Sequence, residues 1–312
     1  MFSDRVRVLF VGGLGRSGTT LLERILAQLP GACPLGEVVH LWQRDVRDDE
    51  RCGCGASFSD CDFWQQVGEH AFGGWDRVNV DRILRLRTAV GRTRHIPKLG
   101  GNRLSPDHFD LVREYVSCYR HIYQAAAKVS GANVVIDSSK HPSLAYCLRW
   151  EPGIDLRVAH MVRDSRGVAY SWTKVAARPE SDGNLMTRYH PLTAALLWNT
   201  HNTALGRLGR RGVPVHRIRY EDLVADPLGA VKELAEFAGL DLGDLKFLSF
   251  AEGVPHAELA GCHSAAGNPM RFRRGRIPLR ADHEWRTALP ASQQRLVRAL
   301  TRPLLGAYGY LN

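Results

Sequence analysis

Val6-Arg7-Val8-Leu9-Phe10-Val11-Gly12-Gly13-Leu14-Gly15-Arg16-Ser17-Gly18-Thr19-Thr20-Leu21-Leu22 is the stretch on which the fold turns. Its first six residues are nearly all apolar, the pattern of a strand buried on both faces. Glycines end that run. Leu21, Leu22, Ile25, Leu26 and Leu29 then recur at helical spacing as far as Pro30-Gly31. Strand, glycine turn and helix follow one another without a break. Further β-rich runs come at Asn133–Asp137, Leu156–Val162 and Val215–Arg219. Helical patterns lie between and after them, near Pro106–Val129, Leu144–Trp150, Ser165–Ala176, Thr187–Leu208 and Pro227–Ala238. Alternation of this kind predicts an α/β fold of three layers, with a central parallel sheet flanked by helices.

The 312 residues fit one large domain. A single domain over residues 1–312 is expected, with an insert near 45–74 at one sheet edge and an irregular, arginine-rich loop near 253–280. Hydrophobic residues at 44% and charged residues at 24% exclude disorder as the main state. No run approaches the roughly 18 apolar residues of a membrane span. The start of the chain lacks a signal-peptide layout, so a cytoplasmic protein is expected. The net charge is +10, from 42 cations and 32 acids, and only six of the cations are lysines. An arginine excess suits bidentate contacts to phosphate or sulfate, and equally fits a plain compositional bias. No finger, helix-turn-helix or aromatic-and-basic RNA motif accompanies it, so nucleic acid is not an expected partner.

The glycine turn matches the nucleotide-binding P-loop, G-x-x-x-x-G-K-[ST], at Gly13, Gly18 and Thr20, but Thr19 stands where the lysine belongs. A helix N-terminus behind a glycine loop still cradles anions. Arg16, inside the loop, supplies a cation. Without the lysine that reaches β- and γ-phosphates, the site suits a ligand with less 5′ charge. A P-loop kinase or other nucleotide-binding phosphotransferase is the alternative. It is disfavoured by Thr19 and by the absence of a clear magnesium-binding aspartate, Asp137 and Asp164 being the nearest candidates.

Arg16-Ser17-Gly18-Thr19-Thr20-Leu21-Leu22 resembles the 5′-phosphosulfate loop of sulfotransferases that use 3′-phosphoadenosine-5′-phosphosulfate (PAPS). Two later segments strengthen the resemblance. Arg163 ends a strand run and is followed eight residues on by Ser171, the spacing with which that family holds the nucleotide 3′-phosphate. His263-Ser264-Ala265-Ala266-Gly267-Asn268-Pro269-Met270-Arg271 is similar to a His…Gly-Asn-Pro-x-Arg segment of bacterial members. The resemblance spans residues near 8 to 276. It implies that Gly15, Arg16, Ser17, Gly18, Thr19 and Thr20 hold the 5′ end. It also implies that Arg163, Ser171, Gly267, Asn268 and Arg271 serve the 3′-phosphate side, Arg271 closing over it. The donor would be PAPS, with no metal required.

Sulfuryl transfer needs cations on the developing charge and a base for the attacking hydroxyl. Arg16 is the cation expected at the bridging oxygen. Lys140 follows a buried run and resembles the catalytic lysine of a Lys-x-Pro segment in tyrosyl-protein sulfotransferases. Glu37, in a Gly-Glu pair, resembles the base of several members, with His40 second. The acceptor is expected to be a hydroxyl on a small molecule, glycan or lipid. The helices near Pro106–Val129 and Thr187–Leu208, with the insert, are expected to wall its pocket. Trp42, Trp64, Trp75, Tyr189 and His190 are each better read as core than as lining. Cys52-Gly53-Cys54…Cys61, with His70 beyond, invites a zinc reading. Its C-x-C spacing and the lack of a second pair favour plain thiols in a structural insert. Cys33, Cys118, Cys147 and Cys262 read as small buried hydrophobes.

Overall fold

A computed structural model describes residues 5–175 and 187–311. Five parallel strands form the central sheet in the order β2-β3-β1-β4-β5: β1 (Val6–Gly12), β2 (Ala32–Gly36), β3 (Val134–Lys140), β4 (Ile154–Val162) and β5 (Val215–Arg219). The chain order reverses across β1, which has β3 on one side and β4 on the other. Ligands of open α/β sheets bind beyond the strand ends at such a reversal. The helix α1 (Thr19–Leu26) leaves β1 at that point.

The apolar runs fill two cores. Val8 and Phe10 face one side of β1 and Leu9 and Val11 the other, all fully buried. The long helix Pro106–Ser130 packs Tyr115, Tyr119 and Tyr123 into the first core, where Tyr123 donates to the buried Asp137 at 2.6 Å. α1 packs Leu22, Ile25 and Leu26 into the second.

The sequence pattern does not announce β2. It is five residues at the sheet edge with Pro34 inside it, and an edge is where a strand tolerates proline. Residues 253–280, read above as irregular, hold two strands, which join a third just ahead of them. β6 (Leu248–Ala251), β7 (Val254–Leu259) and β8 (Gly275–Pro278) make a small antiparallel sheet. The helix expected over Ser165–Ala176 ends at Thr173, and Ala176 lies outside the described residues. The insert is less irregular than its composition suggests, because a helix, Asp62–Phe72, buries Trp64 and Val67.

Candidate active site

Two cavities lie beyond the carboxyl ends of β1, β3 and β4. The first, of about 290 Å³, is lined by Arg16, Gly18, Thr19, Thr20, Lys140, Arg163, Ser171, Tyr220, Asn268 and Arg280, among others. The second, of about 500 Å³, is lined by Gly15, Arg16, Glu37, His40, Arg44, Lys140, His141, Trp172, Tyr189, His201, Gly267 and Asn268, among others. Arg16, Lys140 and Asn268 belong to both. The two spaces therefore meet at two cations and an amide, and Glu37 and the histidines face only the second.

Local backbone geometry puts these groups there. Arg16 and Gly18 take left-handed φ values of 75° and 91°, which turn the loop tightly ahead of α1. A side chain on Gly13 would meet the Met161 carbonyl oxygen of β4 at 2.6 Å, so only glycine lets the loop lie against that strand. Ser17 Oγ is buried in the loop without a hydrogen-bond partner. Arg16 stands over the Trp172 ring, whose Nε1 donates to the Gly15 carbonyl at 3.0 Å. Burial lowers the Arg16 pKa, and the Glu37 charge opposes that shift.

Lys140 ends β3 with φ 68°, an uncommon conformation for a side-chain-bearing residue. Its ammonium donates to Glu37 Oε1. Burial pushes the Glu37 carboxyl up, but Lys140, then His40 and Arg44, outweigh it and hold Glu37 below its ordinary pKa. His40 Nε2 lies 3.9 Å from Glu37 Oε2. Burial pushes His40 down to about 4 and His201 down to about 4, and takes His141 well below its ordinary value. At neutral pH the second cavity thus presents an ionised carboxylate among neutral imidazoles.

The Gly36-Glu37 pair is clamped from behind by the 264–267 loop. Gly36 N donates to Glu23 Oε1 at 2.6 Å, and Glu37 N donates to the Ala265 carbonyl at 3.1 Å. Ala265 N donates to the Leu35 carbonyl at 2.8 Å. Gly267 has φ 106°, and a Cβ there would clash with Glu37 Oε1. Glu23 also accepts from Ser138 Oγ at 2.7 Å, and burial pushes its carboxyl up to about 7.

Arg163 donates to the Arg16 carbonyl at 2.9 Å and to Asp282 at 3.0 Å, with its guanidinium over Tyr220. The adjacent Asp164 pairs with Arg166 instead. Asp137 and Asp164, the candidate magnesium ligands of a triphosphate enzyme, are thus engaged away from the loop. Among the described residues, the lining of the first cavity contains no carboxylate.

Arg271 stands apart from the two cavities. It is buried, and its guanidinium donates to the carbonyls of Gly267 at 2.9 Å and Arg51 at 3.0 Å. It ties the 267–271 loop to the insert and is absent from the lining of either cavity. Of the two helices expected to wall an acceptor pocket, one lines the second cavity. Tyr189, Leu197 and His201 line the second cavity, but the helix Pro106–Ser130 is core and does not reach it. Trp42 and Trp64 are fully buried, and His190 caps the helix Pro191–Leu208. Cys33, Cys147 and Cys262 are buried, whereas Cys118 is half-buried. Sequence reasoning missed Tyr220, Arg280 and the buried pair Glu23 and Arg24. The only signal for that pair was two charges on the otherwise apolar face of α1.

A parallel sheet with a cationic glycine loop at its reversal, opening on two neighbouring cavities, is a layout that suits group transfer. A family model described as the sulfotransferase family matches residues 9–244, and the chain belongs to that family. Mouse carbohydrate sulfotransferase 5 is 24% identical over 216 residues, which are 65% of this chain and 51% of that protein. Human carbohydrate sulfotransferase 6 matches with the same identity and coverage. The chain thus spans about half the length of the curated relatives it matches. In fold it is similar to the sulfotransferase domain of the Synechococcus PCC 7002 olefin synthase. That likeness has TM-score 0.52 and 22% identity, covering 96% of this chain and 94% of that one.

Proposed function

We propose that this chain moves a sulfuryl group from PAPS to a hydroxyl of a small-molecule, glycan or lipid acceptor. The observation that carries this reading is the pair of cavities meeting at Arg16 and Lys140, with a carboxylate on one side only. The first cavity, rich in cations and hydroxyls, suits the nucleotide. Arg16, Thr19 and Thr20 would hold its 5′ end, with Gly15, Ser17 and Gly18 shaping the loop. Arg163 and Ser171 would hold the 3′-phosphate. The buried, unpartnered Ser17 hydroxyl and a lining without acids fit such an anion. When bound, the donor supplies the sulfuryl group and leaves as 3′,5′-adenosine bisphosphate.

On the other side, Glu37 is ionised at neutral pH and takes the acceptor proton, with His40 as the second candidate. Lys140 orients Glu37 and faces the junction, where Arg16 and Lys140 stabilise negative charge as it develops. Gly267 and Asn268 shape the wall beside that junction. A cytoplasmic location is part of this reading, and the lack of a disulfide among the seven cysteines fits a reducing compartment.

Thermal shift with three ligands tests the reading. Stabilisation by 3′,5′-adenosine bisphosphate, exceeding that by ATP–magnesium or DNA, is expected. Selective stabilisation by ATP–magnesium would overturn it in favour of a phosphotransferase. Transfer of labelled sulfate from PAPS across an acceptor panel then identifies the hydroxyl.

A further inference from the structure

The cysteine motif of the insert plays no part in the transfer chemistry, yet the fold completes it. Cys52 begins a tight turn in which Gly55 N donates to the Cys52 carbonyl at 2.8 Å and Cys52 N to the Ala56 carbonyl at 2.9 Å. This turn brings Cys54 back beside Cys52. Cys61 stands immediately before the helix Asp62–Phe72. The fourth member comes from about two hundred residues away. His263 lies with its ring stacked on Phe63 at 5.0 Å, and its carbonyl accepts from Trp64 Nε1 at 2.8 Å. His70, the histidine nearest in sequence, is exposed on the helix and not in the group.

The distances fit one ion at the centre. Cys52 and Cys61 Sγ are 3.6 Å apart, and Cys54 and Cys61 Sγ 3.8 Å. His263 Nδ1 lies 3.2 Å from Cys61 Sγ and 3.9 Å from Cys52 Sγ. All four ligand atoms lie within 4.8 Å of one another. A tetrahedron with Zn–S near 2.3 Å and Zn–N near 2.0 Å has edges of about 3.8 Å between sulfurs and about 3.5 Å from sulfur to nitrogen. A disulfide brings its sulfurs to about 2.05 Å, and none of these pairs is near that.

We propose that Cys52, Cys54, Cys61 and His263 bind one zinc ion through three thiolates and the histidine Nδ1. Four protein ligands fill the tetrahedron, so the site is structural and holds no reacting water. The three thiols give up their protons on binding. Exposed His263 leaves the ion an entry path. The ion's task follows from what its ligands join. It fastens the insert to the loop that continues through Ser264 and Ala265, which pairs with Leu35 and Glu37, to Gly267 and Asn268 at the cavity junction. Gly53 N, donating to the Ser264 carbonyl at 3.0 Å, already marks that seam.

The test is metal analysis of the full chain purified without chelator, with the Cys61→Ser/His263→Gln double variant and Cys118→Ser alongside. About one zinc per chain is expected in the wild type and in Cys118→Ser, falling below about 0.2 in the double variant. Should the double variant fail to fold, wild-type protein stripped by chelator and refilled with cobalt(II) takes its place. It should show the ligand-field bands and thiolate charge transfer of a tetrahedral sulfur-rich site. Three outcomes overturn the proposal: wild type without zinc that takes up no cobalt; zinc retained in the folded double variant; or thiol titration showing a disulfide among the three cysteines.

Discussion

At the scale of single residues, Glu37 carries most of the chemical proposal. Glu37→Gln keeps the shape but not the charge. Turnover is expected to fall roughly a hundred-fold or more, with bisphosphate affinity nearly unchanged by calorimetry. Turnover near wild type would remove Glu37 as the base. Gly267 gives an independent check on its placement. Gly267→Ala pushes a methyl against Glu37 Oε1 from a backbone at φ 106°. It is expected to cost about 1–2 kcal/mol of stability and most of the turnover, read by denaturant melts beside steady-state kinetics. Arg16, Lys140 and Arg163 were legible in the sequence as site candidates because each stands in a short loop or where a buried run ends, and Glu37 through the resemblance of its Gly-Glu pair. Arg271 was not legible in the same way. In an arginine-rich loop, sequence order does not say which guanidinium turns inward, and here the carbonyls of Gly267 and Arg51 capture this one. His263 was legible as part of a motif but not as a partner of the cysteines, since only the folded chain spans that separation.

At the scale of elements, the β1–α1 loop is held by contact with β4. Gly13→Ala sets its Cβ against the Met161 carbonyl oxygen, a backbone atom that cannot yield without disturbing the β1–β4 pairing. The expected outcome is bisphosphate binding weakened at least about ten-fold, together with a lower melting temperature. Calorimetry and differential scanning on the same preparation would check both. β1, β3 and β4 were readable because parallel strands buried on both faces carry apolar runs, whereas β5, a half-buried edge strand, was readable only through Val215 and Ile218. β2 and the small antiparallel sheet were not. Each of those strands is four to six residues long, and Pro34, Pro255 and Pro278 sit inside them at positions a pattern search discards. The insert was misjudged for a related reason. Its helix is anchored by Trp64 and Val67 alone among fully buried side chains, too few for a period to stand out.

For the whole molecule, buried ionisable groups shape stability against pH. Glu23 is fully buried and pushed up from 4.5 to about 7. Between those values the folded chain binds more protons at this site than the unfolded chain. Glu23 therefore contributes stability that is lost as pH rises through that window. The buried His40 and His201, pushed down to about 4, act in the opposite sense, losing stability as pH falls from 6.5. Glu23→Gln removes only the first contribution. Its melting temperature relative to wild type is expected to climb between pH 5 and pH 8, by the equivalent of about 1.4 kcal/mol per pH unit at most up to pH 7. A difference independent of pH would mean that Glu23 does not change its charge there. The junction of the two cavities has a practical consequence of another kind. Arg16, Lys140 and Asn268 are walls of both spaces, so a ligand in one lies within the reach of a few side chains of a ligand in the other. A single inhibitor that joins an adenosine bisphosphate to an acceptor mimic by a short tether would then touch all three shared residues. The first half to dock then holds the second at high local concentration beside its own site.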